Sequence, residues 1–81
     1  MITYRQILKN ERKIKLTNLN KLAGKMRENK ITQENLSKLL NITQATVSAR
    51  MTGKRSFKLN EAEIISKFLN LSENEKKEIF F

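Results

Sequence analysis

Two glutamines, Gln33 and Gln44, stand eleven residues apart, each directly after a threonine. A side-chain amide donates and accepts hydrogen bonds at once, so it suits a flat partner that does both. After Gln44 come Ala45, Thr46, Ser48 and Ala49, short side chains where a solvated helix would carry long charged ones. Such a face lets another molecule approach closely. Gly53 then introduces Lys54 and Arg55, with Lys58 just beyond, a cluster of fixed positive charge suited to phosphate. The chemistry on offer is recognition by amides, methyl groups and charge. Catalysis is not expected: the 81 residues contain no histidine and no cysteine, which removes disulfides, zinc fingers and imidazole or thiolate chemistry. No metal or cofactor is called for either.

These side chains need helices to hold them. Thr32 is placed to cap one helix by accepting a hydrogen bond from the free N–H groups that follow, with Ile31 and Leu36 as a hydrophobic staple. Thr43 repeats the arrangement between Ile42 and Val47. Starts only eleven residues apart leave room for about two turns of helix and a three-residue connection. Asn41 falls at the corner, where the chain needs a residue that tolerates the left-handed conformation. Leu36, Leu39, Leu40, Ile42, Val47 and Met51 supply the buried face, and the small Ser37 lets the two helices cross closely. The spacing predicts a helix-turn-helix.

The stretch Thr32-Gln-Glu-Asn-Leu-Ser-Lys-Leu-Leu-Asn-Ile-Thr-Gln-Ala-Thr-Val-Ser-Ala-Arg-Met-Thr-Gly-Lys-Arg55 resembles the helix-turn-helix of the phage Cro and lambda-type repressor (XRE-like) family. The resemblance covers roughly residues 17 to 72, including the downstream helix from Leu59 to Leu71. It implies an all-α, compact five-helix lambda-repressor-like domain that binds double-stranded DNA, with the helix from Gln44 reading the major groove. Gln44 suits bidentate pairing with adenine, while Ala45 and Ala49 are short enough to meet thymine methyls and Thr46 reaches a base edge. Gln33 is implied to brace Gln44 and hold a phosphate. Thr43, Ser48, Arg50, Lys54, Arg55 and Lys58 are the expected backbone contacts. One departure stands out: the family usually has an apolar residue at position 50 and often Glu at 51, and here Arg50 and Met51 exchange these characters. Either Ala49 or Arg50 then looks into the groove.

Seventeen Lys and Arg against eight Glu give a net charge of +9, which favours polyanions. The charge is divided along the chain. Residues 41–60 hold Arg50, Lys54, Arg55 and Lys58 with no acid, whereas residues 61–81 hold five Glu against three Lys. A purely solubilising charge would not segregate in this way. No apolar run approaches the ~20 residues needed to cross a bilayer, and no signal-peptide core is present, so a cytoplasmic protein is expected.

The length fits one domain, read here as residues 17–81 behind a basic extension, residues 1–16. In the extension Tyr4, Ile7 and Leu8 share a helical face, and Ile14 and Leu16 alternate as in a strand. It is either an arm on the duplex or an extra helix packed on the domain. Leu19, Leu22, Ala23 and Met26 form the stripe of the next helix, from Thr17 or Asn18. A capping box from Asn60 to Glu63 and another from Ser72 to Glu75 predict the last two, with Ile64, Ile65, Phe68, Leu69 and Leu71 completing the core. Ile79, Phe80 and Phe81 at the chain end need a buried home, either their own core or the interface of a homodimer.

A lone domain of this size reads few base pairs, and the resembling family dimerises to place two recognition helices about 34 Å apart on a palindromic operator. The expected function is therefore a Cro-like transcription regulator that blocks polymerase access. The alternative is an antitoxin-type module that also binds a protein partner through residues 1–16 or the C-terminal aromatics. A polyanion binder driven by charge alone would not need two capped short helices with glutamine at both starts.

Overall fold

The computed structural model describes residues 13, 14 and 16–81, and five helices lie among them: α1 (Leu19–Glu28), α2 (Gln33–Leu40), α3 (Gln44–Met51), α4 (Leu59–Phe68) and α5 (Glu73–Phe80). The choice between arm and helix for residues 1–12 lies outside the described residues. Where the extension is described, Lys13 forms an antiparallel bridge with Lys58, the Ile14 N–H donates to the Phe57 carbonyl at 2.9 Å, and Ile14 is buried. Leu16 does not share that face. It is 86% exposed, because a single bridge does not sustain the alternation of a strand.

Each helix starts where a side chain can satisfy its free N–H groups. Asn18 accepts from the Lys21 N–H at 3.1 Å. The Thr32 hydroxyl accepts from the Asn35 N–H at 3.1 Å while the Asn35 amide oxygen accepts from the Thr32 N–H at 2.8 Å, a reciprocal box. Thr43 caps α3 through the Thr46 N–H at 3.2 Å, and Ser72 and Glu75 box α5. Asn41 turns the corner between α2 and α3 with φ 56° and ψ 46°, the left-handed conformation expected of it.

The start of α4 departs from expectation. The helix begins at Leu59 with Lys58 as its cap, and Asn60 is inside its first turn. Glu61, not Glu63, reaches back, its carboxylate accepting the Lys58 N–H at 2.8 Å. The bridge from Lys13 fixes Lys58 in extended backbone and so sets where the helix starts.

Leu22, Met26, Leu36, Val47, Phe57, Ala62, Ile65, Leu69, Ile79 and Phe80 form the core together with Ile14. Two residues expected there are not part of it. Ile64 and Phe68 are 39% and 49% exposed, since α4 turns its Glu61–Ala62–Ile65–Ser66 side inward. Ile79 and Phe80 are each 1% exposed within their own chain, Phe80 standing edge-on to Phe57 with ring centroids 6.0 Å apart. This corrects their assignment as dimer-interface candidates and leaves only Phe81, 62% exposed, at the surface.

The acidic α5 is held to the basic α1 by ion pairs from Lys21 to Glu78 and from Lys25 to Glu75. Lys25 hydrogen-bonds Glu75 and, with the Ser72 N–H, lowers its carboxyl from 4.5 to about 2. The stability this contact adds is present above the unfolded value and is lost as the pH falls from 4.5 towards about 2. Acid titration of the melting temperature is therefore expected to be shallower in Glu75→Gln than in the parent over that window.

Candidate nucleic-acid interface

The face in question is built by α2, α3 and the loop that follows. α2 and α3 pack against each other through Leu36, Ser37 and Val47, and Ser37 turns its hydroxyl back to the Glu34 carbonyl at 2.7 Å, so it crosses the neighbouring helix without an unpaired group. With Val47 inward, α3 presents Gln44, Ala45 and Ser48 outward, with Thr46 and Ala49 half-buried at the edges of the exposed strip. Thr43 is exposed at the helix start, its hydroxyl 2.9 Å from that of Thr46. Gln33 is exposed at the first position of α2. No hydrogen bond joins Gln33 to Gln44 among the described residues, so the brace implied by the resemblance is not made in the free chain.

After Met51 the backbone doubles back. The Thr52 hydroxyl donates to the Ser48 carbonyl at 2.9 Å, Gly53 takes φ 84°, and the Arg55 N–H donates to the Ala49 carbonyl at 3.1 Å. These bonds close the last turn of α3 and set Lys54 and Arg55, both exposed, beside its C-terminal end. Lys58, half-buried at the start of α4, lies further along the same loop.

Arg50 is not on this face, which corrects its assignment as a backbone contact. It is 8% exposed, and its guanidinium donates to the carboxylate of Glu61, itself 6% exposed. The reason lies in helical spacing: Val47, Arg50 and Met51 follow one another at i, i+3 and i+4, so residue 50 belongs to the inward stripe whatever its chemistry. Position 50 is inside, and α4 supplies the buried acid that an enclosed guanidinium requires. Ala49, not Arg50, is therefore the residue that borders the exposed strip. Sequence reading missed Glu61; the signal for it was the first acid of the Glu61-Ala-Glu63 pair, which stands in the first turn once Lys58 is taken as the cap.

Among the described residues no helix is long and apolar enough to cross a membrane. A protein-family model described as helix-turn-helix matches residues 24–76, the segment from within α1 to within α5. Comparison with curated proteins and with solved structures gives no match.

Proposed function

Because this chain belongs to the helix-turn-helix family of lambda-type repressors and Cro, a family of DNA-binding transcription regulators, we propose that it binds a palindromic operator as a homodimer and represses transcription by occluding polymerase. The observation that carries the reading is the make-up of the α3 face. Gln44, Ala45 and Ser48 are exposed with no charged side chain among them, and Lys54 and Arg55 are exposed at the adjoining loop. Readers of sequence and holders of phosphate are thereby separated along one surface. Gln33 and Thr43, exposed at the two helix starts, extend the phosphate-facing side.

This division of labour has a direct test. Gln44→Ala is expected to lower affinity for the preferred site by about 1–3 kcal/mol and to change affinity for random duplex little. Lys54→Ala and Arg55→Ala are expected to weaken both and to reduce the slope of log affinity against log salt by roughly 0.9 for each phosphate no longer neutralised. Equal losses on both duplexes for all three variants would reject the assignment. Ultracentrifugation at micromolar concentration with and without operator tests the dimer, and a monomer in both conditions would reject it.

A second reading, an antitoxin-type module that also binds a protein, draws support from Ile64, Phe68 and Phe81, the apolar side chains left exposed on α4 and at the chain end. In that case the native assembly would contain a second kind of chain, and its mass would not be a multiple of this one.

A further inference from the structure

The chain leading into α1 and the loop after α3 face each other across a half-open cleft of about 140 Å³. A cavity of about 150 Å³ takes up a benzene ring, so a molecule of a few carbon atoms fits here. Leu19 and Phe57 give the cleft apolar walls, and four polar side chains line it: Thr17, Arg50, Arg55 and Ser56. Apolar walls with a few convergent polar groups are the usual make-up of a small-molecule site.

Arg50 has donors that the fold leaves unused. A guanidinium carries five N–H groups in a planar fork, and here only Nη1 is engaged, by Glu61. Its Nε is enclosed with no acceptor, in a residue 8% exposed. Among the described residues no side-chain hydrogen bond or ion pair engages Thr17, Arg55 or Ser56 either. A second acceptor, seated in the cleft, is what these four side chains have in common to bind.

Charge and shape set its class. Glu61 neutralises Arg50, so Arg55 leaves the cleft a single net positive charge, which a monoanion matches and a phosphate dianion exceeds. A carboxylate is planar and accepts two parallel N–H bonds, the pairing that a guanidinium fork favours. Leu19 and Phe57 suit a short hydrocarbon tail, and the volume rejects a long one.

We infer that this cleft is a binding site for a short aliphatic carboxylate, its oxygens held by Arg50 and Arg55 with the hydroxyls of Thr17 and Ser56 as neutral donors. The site stands whether or not the chain reads DNA as proposed above.

The test is a titration of the full chain, labelled with nitrogen-15, with sodium propionate at an ionic strength held constant by sodium chloride. Saturable shifts are expected at the amides of Thr17, Leu19, Arg55, Ser56 and Phe57, and the uncharged isostere propionamide should leave them nearly in place. The double variant Arg50→Met with Glu61→Gln is expected to bind propionate at least about tenfold more weakly, the loss of one charge-assisted hydrogen bond. Arg55→Ala, at an exposed position that the fold does not depend on, should weaken binding as well. Equal response to propionamide would mean that the cleft takes any small polar molecule, and would overturn the inference. Shifts that do not saturate, or that spread over the surface lysines, would show an adventitious ion only. Unchanged affinity in either variant would overturn the roles given to the two arginines, and the site with them.

Discussion

Glu61→Ala is expected to destabilise the domain by about 3–5 kcal/mol, because it leaves the Arg50 guanidinium enclosed with no opposing charge. Arg50 and Glu61 are 8% and 6% exposed, so water does not replace the lost partner, and the Arg50 Nε already has none. The same substitution removes the acceptor for the Lys58 N–H and thus unfastens the first turn of α4. A chain of this length has a total stability of roughly 4–12 kcal/mol at 0.05–0.15 kcal/mol per residue. Urea denaturation should therefore find Glu61→Ala close to unfolding at 25 °C.

The reverse substitution is expected to be milder. In Arg50→Met the carboxylate of Glu61 keeps the Lys58 N–H and sits in the first turn of α4, where the helix dipole favours a negative charge. The double variant Arg50→Met with Glu61→Gln removes both charges, keeps an acceptor for the cap and is expected to recover most of the loss. Since neither side chain reaches the α3 surface, Arg50→Met should also leave the salt dependence of DNA binding unchanged. A slope reduced by about 0.9 would mean that Arg50 does touch phosphate after all.

The ion pair also shows where reading a sequence stops. Thr32, Thr43, Asn41 and Ser72 were legible because each acts on backbone within three or four residues of itself, so the local sequence contains both partners. Arg50 and Glu61 lie on different helices, and nothing local to either announces the other. The cap of α4 was misplaced for the same reason. Lys58 with Glu61 and Asn60 with Glu63 both have the spacing of a box, and the choice between them is made from outside by Lys13 and Arg50. Helical periodicity left a similar ambiguity in α4, where Ile64 and Phe68 form one apolar stripe and Ile65 and Leu69 another beside it. Only packing decides which turns inward. In contrast, the outward strip of α3 was readable, because short polar and methyl-bearing residues following a capped start have no place in a core.

At the chain end, Phe80→Ala is expected to cost about 3–5 kcal/mol, whereas Phe81→Ala should stay within about 0.5 kcal/mol of the parent. The two rings are neighbours in sequence but not in environment, 1% against 62% exposed. Phe80 meets Phe57 edge-on, the geometry in which an aromatic pair adds about 0.5–1.5 kcal/mol beyond the area it buries. Phe57 in turn precedes the capped start of α4 and accepts the Ile14 N–H, while the neighbouring Ile79 carbonyl accepts the Asn18 N–H at 2.7 Å. The last turn of α5 therefore ties together the start of α1, the described part of the extension and the base of the loop that carries Lys54 and Arg55. Losing Phe80 should loosen that loop before it unfolds α2 and α3. Hydrogen exchange would register this as faster exchange at residues 53–58 than at the α2 and α3 amides. Uniform exchange across the domain would show instead that the chain end and helices α2 and α3 open as one unit.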